Sequence, residues 1–145
     1  MIRAAAPSDE PAWRELWRGY LDACRAELPE ETTRRTWKRI LDPDSAVMCI
    51  VAEDAGRVVG FANCVVHENT REAQAICCLE DLFVAPAARG RGTGRALVEW
   101  LRNAMRAEGW ARLDWVARAD NLAARRLSDG IARADHTVRY VVRAQ

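Results

Sequence analysis

Between two strongly patterned segments of this 145-residue chain lies Arg89-Gly90-Arg91-Gly92-Thr93-Gly94-Arg95, the stretch best suited to hold a phosphate. An apolar, strand-like run ends near Val84, and a helix whose stripe is Leu97, Val98, Leu101, Ala104 and Met105 begins at Gly92 and runs to Glu108. The first turn of a helix leaves backbone N–H groups unpaired and carries about half a positive charge, and glycines let an anion approach that backbone closely. Arg89, Arg91 and Arg95 add charge at the same spot. Competing readings fit less well. A G-x-G-x-x-G fingerprint anchored on Gly90 and Gly92 requires glycine at position 95, and the Gly-Lys-Ser/Thr triplet of a P-loop is missing. Arginine-glycine RNA-binding tracts are long and disordered, whereas this one is short and sits inside a folded pattern. The remaining alternative is an ordinary glycine-rich turn with exposed arginines.

The second candidate for chemistry is Glu80, an acid inside an otherwise apolar strand just upstream of that loop. A carboxylate expected to be partly buried there could take a proton from a nucleophile, directly or through a water. Adjacent strand residues face opposite sides, so of Glu80 and Asp81 at most one is expected to point at a reacting centre. The alternative is that either acid merely pairs with an arginine at the strand end. Metal chemistry is not indicated. The five cysteines (Cys24, Cys49, Cys64, Cys77, Cys78) form no C-x-x-C pair, and His67 and His136 are the only histidines. An odd number of cysteines, most of them in apolar runs, fits reduced buried thiols.

These residues must be positioned by a pattern that reads β-α-α-β-β-β-α-β-α-β. Ile2 to Ala5 is a short strand candidate. Ser8 is expected to cap a helix bearing Trp13, Leu16, Trp17, Tyr20, Leu21 and Cys24 on one stripe. Pro29 starts a second helix with Trp37, Ile40 and Leu41 inward, stopped at Asp42-Pro43-Asp44. Ala46 to Ala52 and Val58 to Val66 form a hairpin across the turn at Gly56, and Ala75 to Val84 is a further strand. Gly109 suits the left-handed end of the long helix. Arg112 to Val116 is a short strand, Asp120 could cap a helix over Leu122 to Leu127, and Thr137 to Val142 reads as a closing strand. Antiparallel strands followed by β-α-β units make a mixed α/β sheet covered by helices. Residues 1–145 have the length of a single domain.

Half of the residues are hydrophobic, and 22 basic side chains against 21 acidic ones leave a net charge of +1. Neither disorder nor a strongly basic nucleic-acid binder is indicated. Met1 to Ala6 is not followed by an apolar stretch of about 20 residues, so no signal peptide or membrane span is read and a cytoplasmic protein is expected.

The pattern R-x-x-G-x-G, filled by Arg89, Gly92 and Gly94, follows Leu79-Glu80-Asp81-Leu82-Phe83-Val84 and precedes Ala96-Leu97-Val98. Together they resemble the coenzyme A loop of the Gcn5-related N-acetyltransferases. Val59-Gly60-Phe61-Ala62, Leu113 to Val116 and Asn121-x-x-Ala124 extend the resemblance over nearly the whole chain, and the Leu-Glu-Asp-Leu-Phe-Val wording is similar to that of the diamine and small-amine acetyltransferases. The resemblance implies a mostly antiparallel sheet with a splayed parallel pair, and acetyl-CoA as acyl donor with no metal. It implies that the backbone of Phe83 and Val84 pairs with the pantetheine arm, with Val84 also supplying an oxyanion donor. The amides of Gly90, Arg91, Gly92, Thr93, Gly94 and Arg95 would hold the pyrophosphate, and Asn121 would contact pantetheine or help splay the next strand. Glu80 would be the base that deprotonates a primary amine of a small molecule or peptide.

Where family members usually carry a tyrosine in Asn-x-x-Ala-x-x-Leu-Tyr, this chain has Ser128, a shorter and less acidic donor to the departing thiolate. That departure supports an alternative reading as a weak or inactive module that binds and senses acyl-CoA. Tyr20, Arg71 and His67 are expected to border the acceptor pocket, with His67 more readily explained as a strand-end surface residue. Neither nucleic acid nor membrane is an expected partner, and a homodimer is expected by resemblance only.

Overall fold

The fold is described for residues 1–144 from a computed structural model. One sheet runs in the order β1 (Ile2–Ala4), β2 (Val47–Asp54), β3 (Arg57–His67), β4 (Ile76–Val84), β5 (Leu113–Asp114). Neighbours are antiparallel except for the parallel pair β4–β5. Four α-helices flank it: α1 (Glu10–Ala23), α2 (Glu30–Leu41), α3 (Thr93–Glu108) and α4 (Leu122–Asp129).

Side-chain alternation gives each sheet face its own core. On one face Cys49, Val51, Phe61 and Phe83 pack against Trp13, Leu16 and Trp17 of α1 and Trp37 of α2. Trp13, fully buried, lies 5.4 Å from Trp17 and 5.0 Å from Trp37, ring centre to ring centre. On the other face Ile50, Ala52, Ala62, Cys64, Cys77 and Leu79 meet Leu97, Val98 and Leu101 of α3. The apolar stripes read from the sequence are thus the inward faces of α1 and α3, except that Cys24, just past the end of α1, is exposed.

β3 and β4 are out of step at one point. Asn63 pairs with Asp81 and the next residue, Cys64, pairs with Leu79, leaving Glu80 as the extra residue of a β-bulge. The bulge switches the alternation. Cys77 and Leu79 lie on the α3 face, whereas Asp81 and Phe83 share the α1 face with their partners Asn63 and Phe61.

Several local expectations are corrected. Ser8 does not cap α1; a short 3₁₀ turn at Pro7–Asp9 precedes it, and the Asp9 carboxylate accepts the Ala6 N–H at 2.7 Å while pairing with Arg3. Asn121, not Asp120, caps α4, accepting the Ala124 N–H at 3.1 Å; the Asp120 carboxylate instead pairs with Arg118. Leu41, at the end of α2, is exposed. β5 is only two residues long, and Thr137 to Val142 forms no strand. Val138, Tyr140 and Val142 have the alternation of a strand, but they are exposed (71%, 90% and 99%) because two residues of β5 offer almost no edge to pair with.

Candidate active site

Beyond the register pairs Cys77–Leu113 and Cys78–Asp114, β4 continues to Val84 with no strand among the described residues beside it on the β5 side. The direction of its free groups follows from one bond. The Ala85 N–H donates to Val59 O at 2.8 Å, so in this antiparallel ladder Phe83 and Asp81 turn their backbone towards β3, and Leu82 and Val84 turn theirs towards the open edge. Phe83, whose backbone was expected to face the pantetheine arm, thus turns it to β3, and Leu82 offers its own at the open edge, a parity set by the hairpin and not by side-chain type. Of the Val84 groups the carbonyl is already taken, by Arg89 Nε at 2.9 Å, and the N–H is left. The same guanidinium stacks 5.1 Å above the Phe83 ring, which is buried under α1.

The open edge leads to the glycine-rich loop. Gly90 and Gly92 both have φ +80°, and a Cβ built on either meets nothing within 4 Å, so these glycines are required by backbone conformation and leave open space above the loop. Gly92 is the N-cap of α3, no side chain bonds to the first turn, and no acid lies in it. The amides of Thr93, Gly94 and Arg95 precede the first helical bond, Ala96 N to Gly92 O. An uncapped helix N-terminus with Arg91 and Arg95 exposed beside it fits a pyrophosphate. Gly94 has a different reason: its Cβ position is 3.3 Å from Leu127 Cδ2, so α4 rests on the first turn of α3. Arg95 reaches across to Gly130 O at 3.3 Å, tying the loop to the end of α4.

Asn121 spends its side-chain oxygen on its own helix. Ser128, on the last turn of α4, accepts Trp115 Nε1–H at 2.8 Å. That bond fills one lone pair, fixes the hydroxyl and leaves its proton free to donate.

The two acids of β4 differ sharply. Glu80, on the bulge, is exposed and not partly buried as its apolar strand suggested, because the extra residue bows out of the sheet. Asp81 is half-buried on the α1 face, where Asn63 Nδ2 donates to it at 3.1 Å and the Tyr20 phenol is a neighbour. The Asn63 oxygen in turn accepts Trp13 Nε1–H at 3.4 Å. Burial pushes the Asp81 carboxyl up, against the Asn63 hydrogen bond, and burial and then the Asp81 carboxylate push the Tyr20 phenol up. Cys78 lies nearby, where burial and then Glu80 push its thiol up to about 11 and favour the protonated form at neutral pH.

Of the remaining expectations, Tyr20 borders this centre. His67 ends β3 in solvent with Nδ1 2.7 Å from Glu68 O, and Arg71 is exposed in the following loop. Cys49, Cys64 and Cys77 are free buried thiols, and Cys24 is exposed.

The chain matches the Acetyltransferase (GNAT) family over residues 11–128. It belongs to that family. The D-amino-acid N-acetyltransferase HPA3 of Saccharomyces cerevisiae is 29% identical over 97% of this chain and 88% of its own length. The aminoglycoside N(6')-acetyltransferase type 1 of Stenotrophomonas maltophilia is 34% identical over 71% of this chain and 68% of its own. The solved structure of AAC(6')-Iy with a bisubstrate analogue of CoA and acetylneamine has the same fold, with a TM-score of 0.85 at 18% identity over 100% of this chain and 97% of that one. Acetyl-CoA is accordingly the acyl donor, and this GNAT chain is an N-acetyltransferase. No helix among the described residues is long and apolar enough to cross a membrane.

Proposed function

We propose that this GNAT chain transfers the acetyl group of acetyl-CoA to a primary amine of a small molecule or peptide. The observation that carries this reading is the continuity of the open β4 edge, with the Leu82 and Val84 N–H groups, and the uncapped start of α3 at Gly92. The two are spaced along one short stretch of chain, as a thioester arm and its pyrophosphate are. Acetyl-CoA supplies the activated acyl carbon. Leu82 and Val84 orient the arm along the edge, the amides from Gly90 to Arg95 hold its phosphates, and the Val84 N–H stands beside developing negative charge on the acyl oxygen.

An alkylammonium with a pKa near ~10 must lose a proton before attack. Glu80, exposed on the bulge beside the open edge, accepts that proton directly or through a water. The amine nitrogen then bonds the acyl carbon, the C–S bond breaks, and the nitrogen's second proton passes to the departing thiolate, which the Ser128 hydroxyl, held in place by Trp115, stabilises with a hydrogen bond. Relatives act on D-amino acids and aminoglycosides, which supports a small amine as acceptor.

The test is mass detection of acetylated product from acetyl-CoA and a panel of amino acids, diamines, aminoglycosides and peptides. An acetylated amine supports the reading. Tight acetyl-CoA binding with no product from any amine would sink it in favour of an acyl-CoA-binding module.

A further inference from the structure

We propose that Asp81, held by Asn63 on the α1 face of the sheet, is the subsite for the cationic group of the acceptor, so that the acceptor is taken up as an alkylammonium. This rests on the transferase reading and names a ligand class and an anchor within it.

The argument starts from an unbalanced charge. Asp81 is half-buried, and its hydrogen-bond partner is a neutral donor, Asn63 Nδ2 at 3.1 Å, with no ion pair to it among the described residues. Asp9, a more deeply buried carboxylate, has Arg3 at 2.7 Å. Removing a carboxylate from water without a compensating cation is costly, and a bound ammonium offsets that cost.

The orientation is imposed by the bulge. Without Glu80 as an extra residue, Asp81 would continue the alternation of Cys77 and Leu79 and stand on the opposite face; with it, Asp81 faces α1. The phosphate loop heads α3, which packs on the other face, and α4 rests on the same helix through Gly94 and Leu127. A thioester arm laid along the Leu82–Val84 edge from that side leaves the α1 side for the acceptor. There Asp81, one residue from the Leu82 N–H, is the hydrogen-bonded carboxylate, while Glu80 stands next to it in solvent. The chain from Trp13 through Asn63 to Asp81 fixes one carboxylate oxygen from the fully buried core.

The test uses the full chain saturated with coenzyme A, so that no turnover is needed. Butylamine is titrated by calorimetry or NMR against wild type, Asp81→Asn and Asp81→Glu, with butan-1-ol as the neutral probe. The expected result is binding of butylammonium but not the alcohol by wild type, a loss of at least about tenfold in Asp81→Asn, partial retention in Asp81→Glu, and coenzyme A affinity unchanged within about twofold. Equal affinity of Asp81→Asn for butylamine, or no preference of wild type for the ammonium over the alcohol, overturns the proposal. Should Asp81→Asn not fold, the alcohol comparison and Asp81→Glu still decide. Acetylated product with an unchanged amine KM in Asp81→Asn would remove the subsite and leave the transferase; ammonium binding without any product would do the reverse.

Discussion

Trp115 Nε1 donates to Ser128 Oγ at 2.8 Å, joining the segment after β5 to the last turn of α4. A serine standing where a phenol is usual is therefore not a loose surface hydroxyl. Its rotamer is fixed, and its free proton is the only one it can give away. A thiolate of pKa about 8.5 leaves without much help, so the contribution of this donor is modest. Ser128→Ala is expected to lower kcat by up to about 10² with the acetyl-CoA KM within about twofold of wild type, and Trp115→Phe to reproduce part of that loss. Steady-state kinetics of both variants check it; an unchanged kcat in Ser128→Ala removes the residue from the mechanism.

Gly92 starts α3 at φ +80°, a region that L side chains adopt at a cost of about 1–3 kcal/mol. Gly92→Val is expected to weaken coenzyme A binding by about tenfold or more and to shrink the ligand-induced rise in the thermal midpoint, which follows from simple linkage. Gly94→Val acts differently, by pushing Leu127 and α4 away from α3. Calorimetry on both variants, with thermal melts with and without coenzyme A, separates the two causes.

The Arg3–Asp9 pair gives a pH signature of stability. The Arg3 guanidinium holds the Asp9 carboxyl below its ordinary value of 3.8, so the pair's contribution is complete above that value and is lost as the pH falls below it through the folded-state pKa. Asp9→Asn is expected to cost about 2 kcal/mol at pH 7, and the difference from wild type to narrow towards pH 3. Urea denaturation of both proteins at several pH values measures it.

Trp13 is fully buried, stacks on Trp17 and donates to Asn63. Trp13→Ala is expected to cost about 3–5 kcal/mol and Trp13→Phe less, with both leaving Asn63 Oδ1 without its donor. If the Asn63–Asp81 contact is tied to this tryptophan, Trp13→Phe raises the amine KM more than the acetyl-CoA KM.

What could be read in the sequence depended on how local its cause was. The stripe of Trp13, Leu16 and Trp17, the hairpin turn at Gly56 and the positive-φ glycines of the phosphate loop arise from spacing and backbone sterics within a few residues. The bulge at Glu80 arises from the register of β3 against β4, and it sets the surroundings of two acids: Glu80, expected partly buried, is exposed, and Asp81 is hydrogen-bonded within the protein. The Leu82 N–H was missed because ladder parity is invisible in side-chain types. Ser128 was legible as a departure from tyrosine, but its Trp115 partner was not, since thirteen residues and the turn between β5 and α4 separate them. The alternation of Thr137 to Val142 was read as a strand, and it failed because strand formation needs an edge that β5 is too short to provide.

The most direct measurement of the central claim is mass detection of acetylated amine formed from acetyl-CoA by wild type and by Glu80→Gln, with acetyl-CoA affinity measured on the same preparations. The account predicts a product whose rate of formation falls by about 10²–10⁴ in Glu80→Gln, with acetyl-CoA affinity within about twofold of wild type. Product formed at the wild-type rate by Glu80→Gln would contradict Glu80 as the base, and tight acetyl-CoA binding with no product from wild type would contradict the transferase itself.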